Sequence, residues 1–275
     1  MPKVTWLDTN GLGRVPPVYR LKQFASNDLS ALTRDFFPGV AVPDIGSSSD
    51  APLVIFTSSG AWRWNRIPIQ WPSNEVPMDR EKAIQLARQF FIERSLWDEA
   101  AKAARVYTSV TRQISDWQKG VPIAWKTVAV HVTFRFRVKE VLTDGPSSQM
   151  EVTFAWEDES PVPVEAFRFW RDLDEPLDEV LRPLTQAELD RTILRGLEAA
   201  GIQDPVTGVL QLAYLTAAPN VKQDFLSPVL VADLQLQQDD PRHRVLRFYV
   251  PAWQPTAEHQ LKWFGPLLPL ILPPS

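Results

Sequence analysis

The chain has 275 residues, with 29 Lys and Arg against 33 Asp and Glu, a formal net charge of -4. That balance excludes a generally basic nucleic-acid-binding or polybasic membrane-surface protein, and 44% hydrophobic with 23% charged residues excludes wholesale disorder. The absence of cysteine removes disulfides, thiol catalysis, iron–sulfur clusters and Cys-based zinc sites together.

In chain order, residues 1–17 read as an irregular arm broken by Gly11, Gly13, Pro16 and Pro17. Val18–Leu21 is a short strand. Asn27 or Asp28 caps a short helix carrying Leu29, Leu32 and Phe36. Leu53–Phe56 and Ala61–Trp64 flank Ser58-Ser59-Gly60, the pattern of a hairpin. A helix runs from about Asp79 to Arg94, capped by Asp79, with Ala83, Ala87, Phe90 and Phe91 in one stripe and Ile84 beside it. Strands follow at about 105–115, 125–142, 149–157 and 164–170. Thr185-Gln186-Ala187-Glu188 is a capping box and opens a second helix, with Leu189, Ile193 and Leu197 as its stripe and Gly201 beyond its end. Further strands are expected at about 206–215, 228–237 and 244–250.

Residues 76–98 slide onto 182–204 without a gap. Pro77 meets Pro183, Asp79 meets Thr185, Ala83 meets Leu189, Ala87 meets Ile193 and Phe91 meets Leu197. The expected fold is therefore α+β, with repeated units of one helix packed on an antiparallel meander. The units run over 76–181 and 182–255, after a smaller N-terminal piece at 1–75 and before an apolar, proline-rich tail at 256–275.

The run from Pro77 to Phe91, a Pro-x-Asp cap ahead of Glu81-x-Ala83-x-x-x-Ala87, resembles the helix that opens a PepSY-like domain. Leu210–Tyr214, Leu226–Val231 and Phe248–Ala252 are similar to the end of bacterial two-component-system regulators of the YycH/YycI type. The resemblance spans roughly residues 50–255. It implies helix-plus-sheet units in a non-enzymatic, extracytoplasmic chain of a family that modulates a membrane sensor kinase. The sequence lacks the family's transmembrane anchor, so the fold and the extracytoplasmic role are what carry over, with a cytoplasmic location as the alternative. The N-terminus has no apolar h-region and no run of about 18 apolar residues occurs, so no membrane span is expected.

Candidate sites are few. The strand over 130–139 alternates, with His131, Thr133, Arg135, Arg137 and Lys139 on one face. That face reads as an anion-binding surface or, more simply, as cross-strand pairing of its arginines with Glu151 and Glu157. His131 would have basic neighbours. Trp62, Trp64 and Trp71 form one aromatic group able to grip a sugar or peptide from a sheet face, or to fill a core. Trp117 and Trp125 form a second aromatic group with the same two readings, a ligand grip or core filling; they flank a hairpin tip, where partner contacts concentrate. Trp263 and Phe264 open the tail, which either straps over the body or docks elsewhere.

Acidic groups at 157–159 and 172–179 suggest glycosidase-like carboxylates only if they face each other across a cleft. His131, His243 and His259 are never spaced i, i+3 or i+4. Neither a nucleophile elbow nor a phosphate-binding glycine motif is present. No catalytic, metal or cofactor residue is therefore expected. The expected role is a non-enzymatic extracytoplasmic binding or regulatory module, whose partner is another protein or a cell-envelope ligand and not nucleic acid. The alternative is a carboxylate-dependent hydrolase of carbohydrate or peptide.

Overall fold

A computed structural model describes residues 3–23, 52–66, 79–97, 99–157, 160–236 and 245–254. These hold fourteen β-strands in two sheets and two α-helices of 14 residues each, α1 (Arg80–Glu93) and α2 (Gln186–Ala199). The helices start where the caps predict. The Asp79 side chain accepts from the backbone N–H of Glu81, and Thr185 and Glu188 close a reciprocal capping box.

The six-stranded sheet is antiparallel throughout. Its order is β3 (Leu53–Phe56), β4 (Ala61–Asn65), β10 (Ser160–Arg168), β9 (Gln149–Glu157), β6 (Val121–Arg135) and β5 (Arg105–Gln118). The eight-stranded sheet is mixed. It runs β11 (Leu173–Pro176), β2 (Tyr19–Leu21), β13 (Phe225–Leu236), β12 (Val206–Leu215), β8 (Val141–Asp144), β7 (Arg137–Val138). On one edge of β12 lies β13; the other is shared by two parallel neighbours, β1 (Val4–Asp8) at one end and β8 at the other. β14 (Val245–Pro251) extends the sheet beyond β13.

This architecture corrects the expected α+β repeat. The molecule is mainly β, and it is not built from repeated helix-on-sheet units. The two helices do match locally, since Ala83, Ala87 and Phe91 are fully buried and so are Leu189, Ile193 and Leu197. The sheets around them differ. A 3-10 turn over Glu99–Ala103 leads from α1 into the antiparallel β5–β6 hairpin, whereas α2 leads into β12 with its parallel neighbours. Each sheet also recruits strands from before α1: β3 and β4 in one, β1 and β2 in the other. A cap and a 3.6-residue stripe recur in any helix packed on a sheet, so their coincidence carries no information about distant strand pairing.

Two further expectations change. The supposedly irregular N-terminal arm contains strand β1. The single strand expected over 125–142 ends at Arg135; beyond Phe136 the chain is in the other sheet, where Lys139, at φ 54°, turns β7 back into its antiparallel partner β8. The expected helix near 28–37 and the tail at 256–275 lie outside the described residues.

A buried arginine ties the two halves together. Arg171 donates from Nη1 to the carbonyl of Gln223, and from Nη2 to the carbonyls of Ser58 at 3.1 Å and Val221 at 2.8 Å. Ser58 lies in the β3–β4 turn of one sheet; Val221 and Gln223 precede β13 of the other. Burial lowers the Arg171 pKa to about 10, with Asp224 working in the opposite direction, so the group stays charged at neutral pH.

Candidate functional site

Strand register decides which side chains share a face. In the six-stranded sheet, Val130, Val132 and Phe134 of β6 lie level with Phe154, Val152 and Met150 of β9, all packed in one core with the α1 stripe. The helix-free face therefore receives His131, Thr133 and Arg135, flanked by Thr153 and Glu151 on β9 and by Tyr107 and Arg105 on β5. In the eight-stranded sheet, Gly208, Leu210 and Leu234 face the α2 side. There Trp6 on β1 reaches over to donate from Nε1 to Asp190 at 2.7 Å. Its other face carries Gln211, Asp233, Arg247 and Tyr249, together with Leu142 and Asp144 of β8.

The two helix-free faces meet at a cleft of about 140 Å³. Arg105, Tyr107 and Arg135 line it from one sheet, and Asp144, Gln211 and Arg247 from the other. Asp144 is its hub. It accepts from Arg135 and, through Oδ1 at 2.9 Å, from the backbone N–H of Gly145; Arg247 and the Tyr249 hydroxyl stand 3.4 Å from Oδ2. Hydrogen bonding to Asp233 raises the Arg247 pKa further, so this guanidinium is permanently charged. Burial, and then the charge of Asp144, push the Tyr249 phenol up. Gly145, at φ 101°, is required here because a Cβ would stand 2.2 Å from the carbonyl oxygen of Thr216.

Beside the cleft runs a self-contained polar row. His131 Nε2 is 2.6 Å from the Thr111 hydroxyl, and Nδ1 is 2.9 Å from the Thr153 hydroxyl and 3.4 Å from Glu151 Oε1. Thr133 donates to the other oxygen of Glu151. Burial works against the Glu151 carboxylate, but bonds from His131 and Thr133 outweigh it and hold the pKa below the ordinary value. The basic surroundings expected for His131 are thus replaced by hydroxyls and a carboxylate. The expected arginine pairs change too: Arg135 pairs with Asp144, Glu151 with His131, and Glu157 with Arg66. For Arg135 the reason is the turn at Lys139, which brings Thr143 and Asp144 of β8 beside the end of β6.

The aromatic candidates separate. Trp62 is only 2% exposed and Trp64 stacks on Phe90, so both fill the core beneath α1 and neither presents a sheet-face ligand platform. Trp125 is 51% exposed, on the outer part of the β5–β6 hairpin together with Val121 at 60% and Ile123 at 53%. All three are exposed and alternate with the half-buried Pro122 and Ala124, in a stretch where the β5–β6 register is shifted by bulges. Because β9 pairs with β6 only over 130–135, the outer hairpin is a two-stranded arm among the described residues. Trp117 lies in β5 of the same arm. Trp71, Trp263 and Phe264, with His243 and His259, fall outside the described residues. In the acidic stretches, Asp172 pairs with Arg168, and Asp174 and Glu175 are exposed on β11. No group of three or more metal-ligating side chains is found among the described residues, and no helix among them is long and apolar enough to cross a membrane.

The sequence placed Trp125 at a hairpin tip but left open whether its ring fills a core, and the structure leaves it half exposed. The Asp144 hub escaped sequence reading, since its partners come from β6 and β14, 9 and 103 residues away. No protein-family model matches the chain, and no curated protein matches it. Among solved structures it is similar to the crystal structure of an uncharacterized protein from Eubacterium rectale ATCC 33656. The identity is 10% and the TM-score 0.44, over 92% of this chain and 88% of that one.

Proposed function

We propose that this chain is a non-enzymatic extracytoplasmic binding or regulatory module, and that the β5–β6 arm receives an acidic, amphipathic strand of a partner protein. The observation that carries the proposal is the exposed row Val121, Ile123 and Trp125 on that arm. Contiguous apolar side chains are costly to leave in water, and their presence on a projecting hairpin favours a partner that covers them. β5 pairs with β6 alone among the described residues, so its outer edge offers backbone groups to an added strand. Over residues 112–126 the arm carries Arg112, Lys119 and Lys126 against Asp116, a net +2 on a chain of net -4, which favours an acidic occupant. The extracytoplasmic setting rests on the PepSY-like resemblance, not on the arm.

The test is a photo-crosslinking residue at position 123, in the native cell, with an equal probe at Ile92, which is 58% exposed on α1. A discrete protein adduct at 123 that is lost on Trp125→Asp, and absent at 92, supports the proposal. Equal labelling at both positions, or none at 123, overturns it.

A further inference from the structure

We propose that the cleft between the two helix-free faces binds a small organic ligand through an oxyanion, either a carboxylate or a phosphate. Three guanidinium groups, Arg105, Arg135 and Arg247, converge on it. Two are already fixed by the protein. Arg135 donates to Asp144 and, from Nε at 3.0 Å, to the carbonyl of Thr143. Arg247 grips both oxygens of Asp233, at 2.6 and 2.9 Å. A guanidinium carries five N–H donors, so each keeps some to offer after these bonds.

Arg105 differs. Its guanidinium lies 5.1 Å from the centre of the Tyr107 ring, and among the described residues no carboxylate pairs with it. Asp144 is engaged elsewhere: Oδ1 accepts from Arg135 and the Gly145 N–H, and Arg247 and the Tyr249 hydroxyl stand 3.4 Å from Oδ2. Counting Arg105, Arg135 and Arg247 against Asp144 and Asp233 leaves a surplus of one positive charge at the cleft. Positioned guanidinium forks recognise carboxylate and phosphate by paired hydrogen bonds.

Size and lining indicate more than a bare ion. At about 140 Å³ the cleft holds roughly five water molecules at about 30 Å³ each. Leu142 and Ala213 give it an apolar patch for the organic part of the ligand. The proposal is independent of the arm and stands or falls separately.

NMR titration of the full chain with propionate and with methyl phosphate tests it. Saturable binding of one or both is expected, and the one that saturates identifies the oxyanion. Arg105→Gln should weaken that binding about tenfold, the scale of one charged hydrogen bond, without lowering the melting temperature of the free protein. Arg105→Lys, which keeps the charge and loses the fork, should fall between. Arg112→Gln, an exposed arginine on the same strand away from the cleft, should leave binding unchanged. If neither probe saturates, if Arg105→Gln binds as tightly as the parent, or if Arg112→Gln weakens binding equally, the cleft is not an oxyanion site.

Discussion

The two sheets each carry one helix of equal length, yet the cores beneath them are filled differently. Under α1 the helix presents the small residues Ala83 and Ala87, and rings occupy the space. Phe91 meets Phe134 edge-on at 6.2 Å, Trp97 meets the same ring at 5.5 Å, and Trp64 stacks on Phe90 at 6.4 Å. Under α2 the helix itself supplies Leu189, Ile193 and Leu197 to a largely aliphatic core of Leu210, Leu230, Leu234 and Val250. Small residues on a helix demand large ones opposite to reach native packing density. The first core thus depends on a few large side chains, and the second on many of medium size.

Truncation should expose this contrast most strongly. Phe91→Ala is expected to cost about 4 kcal/mol and Ile193→Ala about 3 kcal/mol in denaturant unfolding; a reversed order would break the comparison. The link between the halves comes next. Arg171→Met leaves the carbonyls of Ser58, Val221 and Gln223 without their donor, at a cost of about 2 kcal/mol. A neutral result there would mean that the two cores do not depend on the clamp.

The helix starts sharpen the contrast at lower energy. Thr185→Ala removes the hydroxyl of a capping box, which accepts from the Glu188 N–H and donates to the Glu188 carboxylate, and should cost about 1 kcal/mol, more than Asp79→Ala, which removes a single capping bond. Thermal melts of the two variants read the difference directly.

On the helix-free face the lever is pH. Glu151 titrates below the ordinary carboxylate value of 4.5. Its contribution to stability is therefore complete above that value and is lost as pH falls through the depressed pKa. Glu151→Gln should flatten the acid limb of a stability-versus-pH curve, and a steeper limb would contradict the role given to His131 and Thr133. The smallest effect belongs to the arm. Trp125→Ala should change stability by no more than about 0.5 kcal/mol, as expected for an exposed position, and a larger loss in the same melts would place the ring in a structural contact.

Legibility in the sequence followed the range of the interaction. The bounds of β9 and β12 emerged from alternation alone, and α1 and α2 from caps and stripes, because each signal lies within a dozen residues. Trp62 and Trp64 were ambiguous, since alternation puts both on one side of a strand without saying what covers it. The structure puts Trp62 in the core that also holds the α1 stripe and stacks Trp64 on Phe90 of that helix. The alternating pattern through 130–139 read as one polar face, although the chain leaves the first sheet at Phe136. Phe136 and Val138 stay buried on both sides of that switch, so alternation alone gave no hint of it.

By itself the sequence determined the two amphipathic helices, most strand positions, and the exclusion of thiol chemistry and of a generally basic chain. These follow from side-chain period, backbone caps and charge, which act along neighbouring residues. Only the tertiary structure decided which sheet each strand joins, that Arg135 answers to Asp144 and not to Glu151, and that three arginines surround one cleft. Those outcomes depend on register between segments up to about two hundred residues apart, as for Val4 opposite Val206. Many pairings bury the same apolar faces, and only the packing of the whole molecule selects among them.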